Sequence, residues 1–339
     1  MSITLFFFIL FLTLIMNYIL NKKKLFLNST GRSHQKFASS TSIPLSGGLV
    51  LILASYYYLN SSNFIFIACI ISIFCLGFLS DINIINSPKL RLIVQIIIIS
   101  FAVYFSSIVV TTTRIDLFDY FLENKSIQIL FSIFCILIIV NGCNFIDGVN
   151  TSLIGYCLII SSAFYYLDSK GIEVSQLIDL YSLIPVLLVL FILNFFNKLY
   201  LGDSGSYLLG LLFSLWLINT YQINNSISPF FIVCLLWYPA FENLFSILRK
   251  IKFSRSPINP DVNHLHQLIF YQLKKNFNID GIYLNTFTGI IINLYNLLSI
   301  VLAIQFFSDT QSQVIIIIFN IIIYTSVYTK LLLKKIKKS

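Results

Sequence analysis

Residues 127–150 read IQILFSIFCILIIVNGCNFIDGVN. As far as Val140 the stretch is apolar apart from Gln128 and Ser132. A hydrocarbon core about 30 Å thick takes roughly 20 mostly apolar residues as one helix. The run then gives way to three amides, a carboxylate and two glycines within ten residues, 141–150. Asn141, Asn144 and Asp147 recur at three-residue spacing, so a helix continued through them carries all three on one face. Polar groups at such a depth are costly unless they are paired or face a cavity. The stretch therefore predicts a membrane helix that ends on a working polar surface.

Similar runs recur along the whole chain, at 2–20, 46–60, 63–79, 92–110, 127–143, 153–167, 180–196, 206–221, 228–247, 282–307 and 312–329. The composition agrees: 58% of the residues are hydrophobic and 10% charged, with a mean hydropathy of +0.89. An ordinary soluble domain is about a quarter charged. The predicted fold is all-α: a polytopic integral membrane protein of about eleven transmembrane helices, with ten as the alternative, forming one domain over residues 1–339. The first run lacks a basic leader and a small-residue cleavage site and is followed by Lys22, Lys23 and Lys24, so it reads as a membrane helix rather than a signal peptide.

With the N-terminus outside, 19 of the 22 Lys and Arg fall in inner loops and the tail. That bias orients the chain and puts the C-terminus in the cytoplasm. It also accounts for the net charge of +9, which on a soluble protein would suggest nucleic acid; none is expected here. The six cysteines lie mostly in apolar runs and form no CxxC pair, which argues against a disulfide framework or a zinc site.

Four inner segments interrupt the apolar pattern, around residues 80–91, 141–152, 194–206 and 249–280. In the first, Asp81 ends a span, where the helix dipole disfavours an anion and a nearby cation is expected. The second holds Asn141, Asn144, Asp147 and Asn150. The third runs Asn194-Phe-Phe-Asn-Lys198-Leu-Tyr200-Leu-Gly202-Asp203-Ser204-Gly205-Ser206. Ser204 and its neighbours open the next helix, a ready anion site, and Asp203 beside them suits a hard cation such as Mg²⁺. The fourth is basic and carries Arg255, Asp261, His264 and His266, groups suited to an anionic ligand.

Carboxylates, a helix N-terminus and a basic loop on one face are equipment for phosphoryl transfer with a divalent metal. No Walker A or GxGxxG motif is present, so a P-loop ATPase is excluded. The competing reading is a membrane transporter or a flippase for lipid-linked sugars. Such proteins keep ionisable groups near the midplane, whereas here the carboxylates gather at inner span ends and Glu242 is the one candidate for a deeper site.

At these four segments the chain resembles the polyprenyl-phosphate N-acetylhexosamine-1-phosphate transferases of the glycosyltransferase 4 family. These include the bacterial initiators of O-antigen and common-antigen synthesis, to which the match looks closer, and the phospho-MurNAc-pentapeptide translocase. Asn141 to Gly155 follows the family's Asn-Ala-x-Asn-x-x-Asp-Gly-x-Asp-Gly pattern, Leu201 to Gly210 its Met-Gly-Asp-x-Gly-Ser pattern, and Ser256 to His266 its Ser-Pro-x-x-x-Asp-x-x-His-x-His pattern. The chain departs from it at Ser80, Asn150 and Glu242, where Asp is usual, at Thr151, where Gly is usual, and at Gln267, where a third histidine stands.

The resemblance implies transfer of an N-acetylhexosamine-1-phosphate from a UDP-sugar to undecaprenyl or another polyprenyl phosphate, with UMP released, at the cytoplasmic face of the inner membrane. It implies Mg²⁺, with Mn²⁺ as the alternative, on Asp203 with Asn144. It makes Asp81, Asp147, Asp203, His264 and His266 catalytic, and gives substrate contacts to Asn141, Asn144, Asn150, Lys198, Tyr200, Ser204, Arg255 and Asp261. Tyr200 is expected to stack on uracil, Asp81 to handle the lipid phosphate, and a homodimer is plausible for the family.

Overall fold

The computed structural model describes residues 3–27, 43–60, 63–252, 263–277 and 279–336, and among them the chain is helical with two isolated β-bridges. The helices are α1 (Ile3–Lys23), α2 (Gly47–Tyr58), α3 (Phe64–Asp81), α4 (Pro88–Ser106), α5 (Asp116–Leu122), α6 (Lys125–Ile146) and α7 (Ser152–Ser169). They continue as α8 (Leu180–Phe195), α9 (Gly202–Ile223), α10 (Pro229–Leu235), α11 (Trp237–Lys252), α12 (Leu265–Asn276), α13 (Gly281–Gln305) and α14 (Thr310–Ile336).

Six of these, α1, α3, α4, α6, α13 and α14, are long and apolar enough to cross a bilayer. In α1 and α14 only 17% of the apolar window is buried. Side chains such as Phe7, Phe11, Leu298 and Phe319 lie open, an apolar surface that water does not tolerate at this extent. The protein is a polytopic membrane protein. The apolar runs at 46–60 and 180–196 are helices of 12 and 16 residues, shorter than the six.

Two spans differ from the sequence expectation. The run at 92–110 becomes a helix that starts earlier, at Pro88, because Ser87 caps it and proline suits its first turn. It stops at Ser106, where Ser107 turns left-handed (φ 56°). The run at 228–247 is broken: α10 and α11 meet at 72°. Pro239 lies in the first turn of α11, where its ring opposes continuation from α10. The short α5 and α12 were not anticipated.

The core is built around α9, buried from Ser204 to Ile218. Small residues let its neighbours approach. A Cβ at Gly77 of α3 would lie 2.4 Å from Ser204 Cα, and one at Gly48 of α2 2.3 Å from Ser204 Oγ. Thus α2 and α3 close on the first turn of α9, and the ends of α3 and α6 and the start of α4 gather at the same end of the bundle.

Candidate active site

The first turn of α9 organises this end. Gly202 has φ +77°, and a Cβ there would stand 2.6 Å from Asp81 Oδ2, so only glycine admits both the backbone angle and the carboxylate. Asp81 Oδ1 accepts the Asp203 N–H at 2.8 Å, and Oδ2 accepts the Ser204 N–H at 3.1 Å and its hydroxyl at 2.7 Å. The anion expected to need a cation at the end of α3 is held instead by the positive end of α9.

Asp203 points the other way. Its Oδ2 accepts from Arg91 Nη1 at 2.8 Å and from Ser80 Oγ at 2.6 Å, and its Oδ1 from Asn144 Nδ2 at 2.8 Å. Arg91 also donates to Ser80 Oγ at 2.8 Å, while Asn144 reaches Ser206 Oγ at 3.0 Å. Four elements, α3, α4, α6 and α9, thus meet on one carboxylate.

Asp147 follows one turn after Asn144, just beyond α6. Its side chain has no hydrogen-bond partner among the described residues. Burial pushes its carboxyl well above the usual carboxylate range, and the charges of Asp203 and Asp81 push it further. Among the described residues only Asp203 of the three carboxylates pairs with Arg91, and Asp147 has no donor; a hard divalent cation would relieve their mutual repulsion, and the residues present fit such an ion.

The histidines adjoin this cluster through the end of α6. His264 and His266 stack with ring centroids 5.6 Å apart and planes within 5°. Phe145 packs on His264 at 5.2 Å. A Cβ on Gly148 would fall 2.2 Å from His266 Nε2, so the glycine after Asp147 is the floor on which His266 rests. Burial and the neighbouring His264 hold His266 down to about 3, against the pull of Glu242, and it is neutral at pH 7. Gln267, where the resemblance leads one to expect a third histidine, accepts the His264 N–H at 3.0 Å and caps α12.

The family profile described as Glycosyl transferase family 4 matches residues 63–221, which span α3 to α9 and every carboxylate of this cluster. That segment of the chain is similar to the family. Relatives agree. An undecaprenyl-phosphate alpha-N-acetylglucosaminyl 1-phosphate transferase of Thermotoga maritima is 25% identical over 265 residues, 78% of this chain and 79% of that protein. A probable undecaprenyl-phosphate N-acetylglucosaminyl 1-phosphate transferase of Bacillus subtilis is 32% identical, over 43% of this chain and 42% of its own length. A decaprenyl-phosphate N-acetylglucosaminephosphotransferase of Mycolicibacterium smegmatis is 31% identical, over 38% and 37%. The family 4 segment excludes both histidines of the cluster and Glu242.

Asp81, Asn144, Asp147, Asp203, Ser204, His264 and His266 therefore come together, and other expected residues do not join them. Asn141 donates to Gln95 Oε1 and Leu137 O, both at 2.9 Å, one turn deeper in the bundle. Asn150 faces away, donating to Asn197 Oδ1 at 3.1 Å in a knot with Asn285 and Thr286. Lys198 is exposed. Tyr200 is half-buried, and its backbone pairs with Pro44 and Gly47. Arg255 and Asp261 lie outside the described residues.

Sequence reading missed Arg91 and Ser80 as partners of Asp203. For Arg91 a signal existed: a basic residue in the first turn after Ser87-Pro88, facing the segment with the carboxylates. Ser80 was read only as a departure, although its hydroxyl is one of the three side-chain donors to Asp203.

Proposed function

We propose that this protein transfers an N-acetylhexosamine-1-phosphate from a UDP-sugar to a polyprenyl phosphate and releases UMP. The observation that carries the reading is the convergence of Arg91, Asn144 and Ser80 on Asp203 beside Asp81, within the segment that matches family 4. The printed activities of its relatives supply the substrate class.

In the reaction an oxygen of the lipid phosphate bonds to the β-phosphorus of the donor, the bond from that phosphorus to the bridging oxygen breaks, and UMP departs with the electron pair. A phosphate monoester is already mostly ionised at neutral pH, with a second pKa of about 6, so little base assistance is needed. Arg91 lies where it can meet phosphate oxygens while tied to Asp203. Asp81 holds the first turn of α9 in place, and His264 with His266 forms the wall on the Gly148 side, where donor phosphate or sugar would lie.

The cofactor in this reading is Mg²⁺, with Mn²⁺ as the alternative. Asp203, Asn144 and Asp147 would hold it, and it would neutralise charge on the diphosphate. Among the described residues no three His, Cys, Asp or Glu side chains group so as to hold a metal ion by themselves, so its remaining ligands would have to come from phosphates and water. In this reading the chain crosses the inner membrane about eleven times, with ten as the alternative, and this site lies at the cytoplasmic face, an orientation supported by the placement of 19 of its 22 Lys and Arg.

The test is UMP release from purified protein given undecaprenyl phosphate, Mg²⁺ and a panel of UDP-N-acetylhexosamines, with Asp203→Asn alongside. Release that requires lipid, metal and Asp203 supports the reading and identifies the sugar. No release with any donor from folded protein overturns it.

A further inference from the structure

Glu242 is fully buried, at 0% exposure, although the packing of α11 has no use for a charge. Its two oxygens have separate partners. Oε1 accepts from His264 Nδ1 at 2.9 Å and from the Leu265 N–H at 3.4 Å. Oε2 accepts from Tyr324 Oη at 2.6 Å. Phe241 and Phe245 pack edge-on against the Tyr324 ring at 5.0 and 5.4 Å, which keeps water from the carboxylate. A carboxylate only accepts, so the hydrogen sits on His264 Nδ1 and Nε2 is the nitrogen left for a ligand. The last helix reaches the same loop again where Lys335 Nζ donates to Asn263 Oδ1 at 2.8 Å.

We infer that Glu242, fixed by Tyr324 from the last helix, is a positioning residue that sets the tautomer and ring plane of His264 and thereby the affinity of the site for the diphosphate-sugar donor. This rests on the function proposed above. The Tyr324 hydroxyl stops the carboxylate from rotating: without it Oε2 is buried with no partner, a costly state, and the group turns to find one. His264 follows its acceptor. Because its ring lies parallel to that of His266, within 5°, and His266 rests on Gly148, the tilt passes to the wall beside Asp147. A buried ion pair adds little to stability by itself, so a role in orienting His264 accounts for the charge better than a role in folding.

Tyr324→Phe removes one oxygen and leaves the packing. The variant is expected to elute like wild type and to melt somewhat lower, to raise the KM for the UDP-sugar on the order of tenfold, the scale of a hydrogen bond to a charged group, and to leave the KM for lipid phosphate unchanged. In a His264→Ala background the same change is expected to add nothing, as two residues acting through one path do not sum. An unchanged donor KM, or additive effects in the double variant, overturns the inference while leaving the transferase reading intact. Histidine-selective ¹⁵N NMR of the solubilised protein, which has three histidines, decides it without turnover. A protonated His264 Nδ1 that changes in Tyr324→Phe and in Glu242→Gln supports the inference. A proton on Nε2 alone, or spectra indifferent to both changes, overturns it, and absence of transfer by wild type counts only against the transferase reading.

Discussion

Asp81 accepts the backbone N–H of Asp203, 122 residues further along the chain, at 2.8 Å. The same carboxylate stands at the unfavourable end of one helix dipole and the favourable end of another. Three hydrogen bonds from the first turn of α9 settle the balance. Asp81→Asn keeps the shape but loses the charge and, with an NH2 in place of one oxygen, at least one of the bonds from α9. Turnover is expected to fall on the order of a hundredfold, with a stability loss of only about 1 kcal/mol. Near wild-type UMP release from this variant would show that no charge is needed at position 81.

Ser80 donates to Asp203 and accepts from Arg91. Ser80→Asp places a further anion against Asp203, which repels it unless a cation intervenes. The melting temperature of this variant is expected to drop in EDTA and to recover with Mg²⁺ by a larger margin than wild type. Equal responses of the two proteins to Mg²⁺ would argue against a cation beside Asp203.

Gly148 leaves room for the His266 ring, which a Cβ would meet at 2.2 Å. Gly148→Ala must displace a buried imidazole, and transfer is expected to fall more than tenfold while the protein still folds. In a His266→Ala background the alanine should be tolerated. If it remains equally harmful there, the contact is not the reason.

His266 is held at about 3 in the folded protein, against about 6.5 in an unfolded chain. Between these values the unfolded state binds the extra proton, so stability rises with pH across that window and is lost as the pH falls from 6.5 towards 3. His266→Gln, which cannot titrate, is expected to lose less stability than wild type over this range in melting experiments. Parallel pH curves for the two proteins would contradict the assignment.

Thr151 adopts φ 67°, ψ −14° at the start of α7, a left-handed conformation that a β-branched residue resists. Thr151→Gly is expected to stabilise the protein by about 1 kcal/mol. The gain is offset in part by the lost hydroxyl bond to Asn150 O. Thermal melting in detergent reports the sign.

Much of the fold and of the site is legible in the chain. Hydropathy locates the helices because bilayer burial acts on each segment by itself, and the segment around Asn144 and Asp147 declares itself by being polar where a span should be apolar. The departure at Thr151 is also readable, since its left-handed backbone is where the resemblance leads one to expect glycine. The break between α10 and α11 is less so, because Pro239 sits in a run whose average hydropathy hides it. Asn150 shows the opposite failure: it belongs to the motif by spacing, yet a turn after Asp147 directs it to Asn197 instead.

The sequence by itself determined a membrane protein with its carboxylates, amides and histidines at span ends, since composition and period are properties of short windows. Only the tertiary structure decided the pairings. It put Asp81 on the α9 amides, Arg91 and Ser80 on Asp203, and Glu242 between His264 and Tyr324. The physical reason is that a hydrogen bond or charge pair depends on distance and direction at the scale of an ångström. Those are set where helices far apart in the chain cross, and small residues such as Gly77 and Gly48 fix how closely they do so.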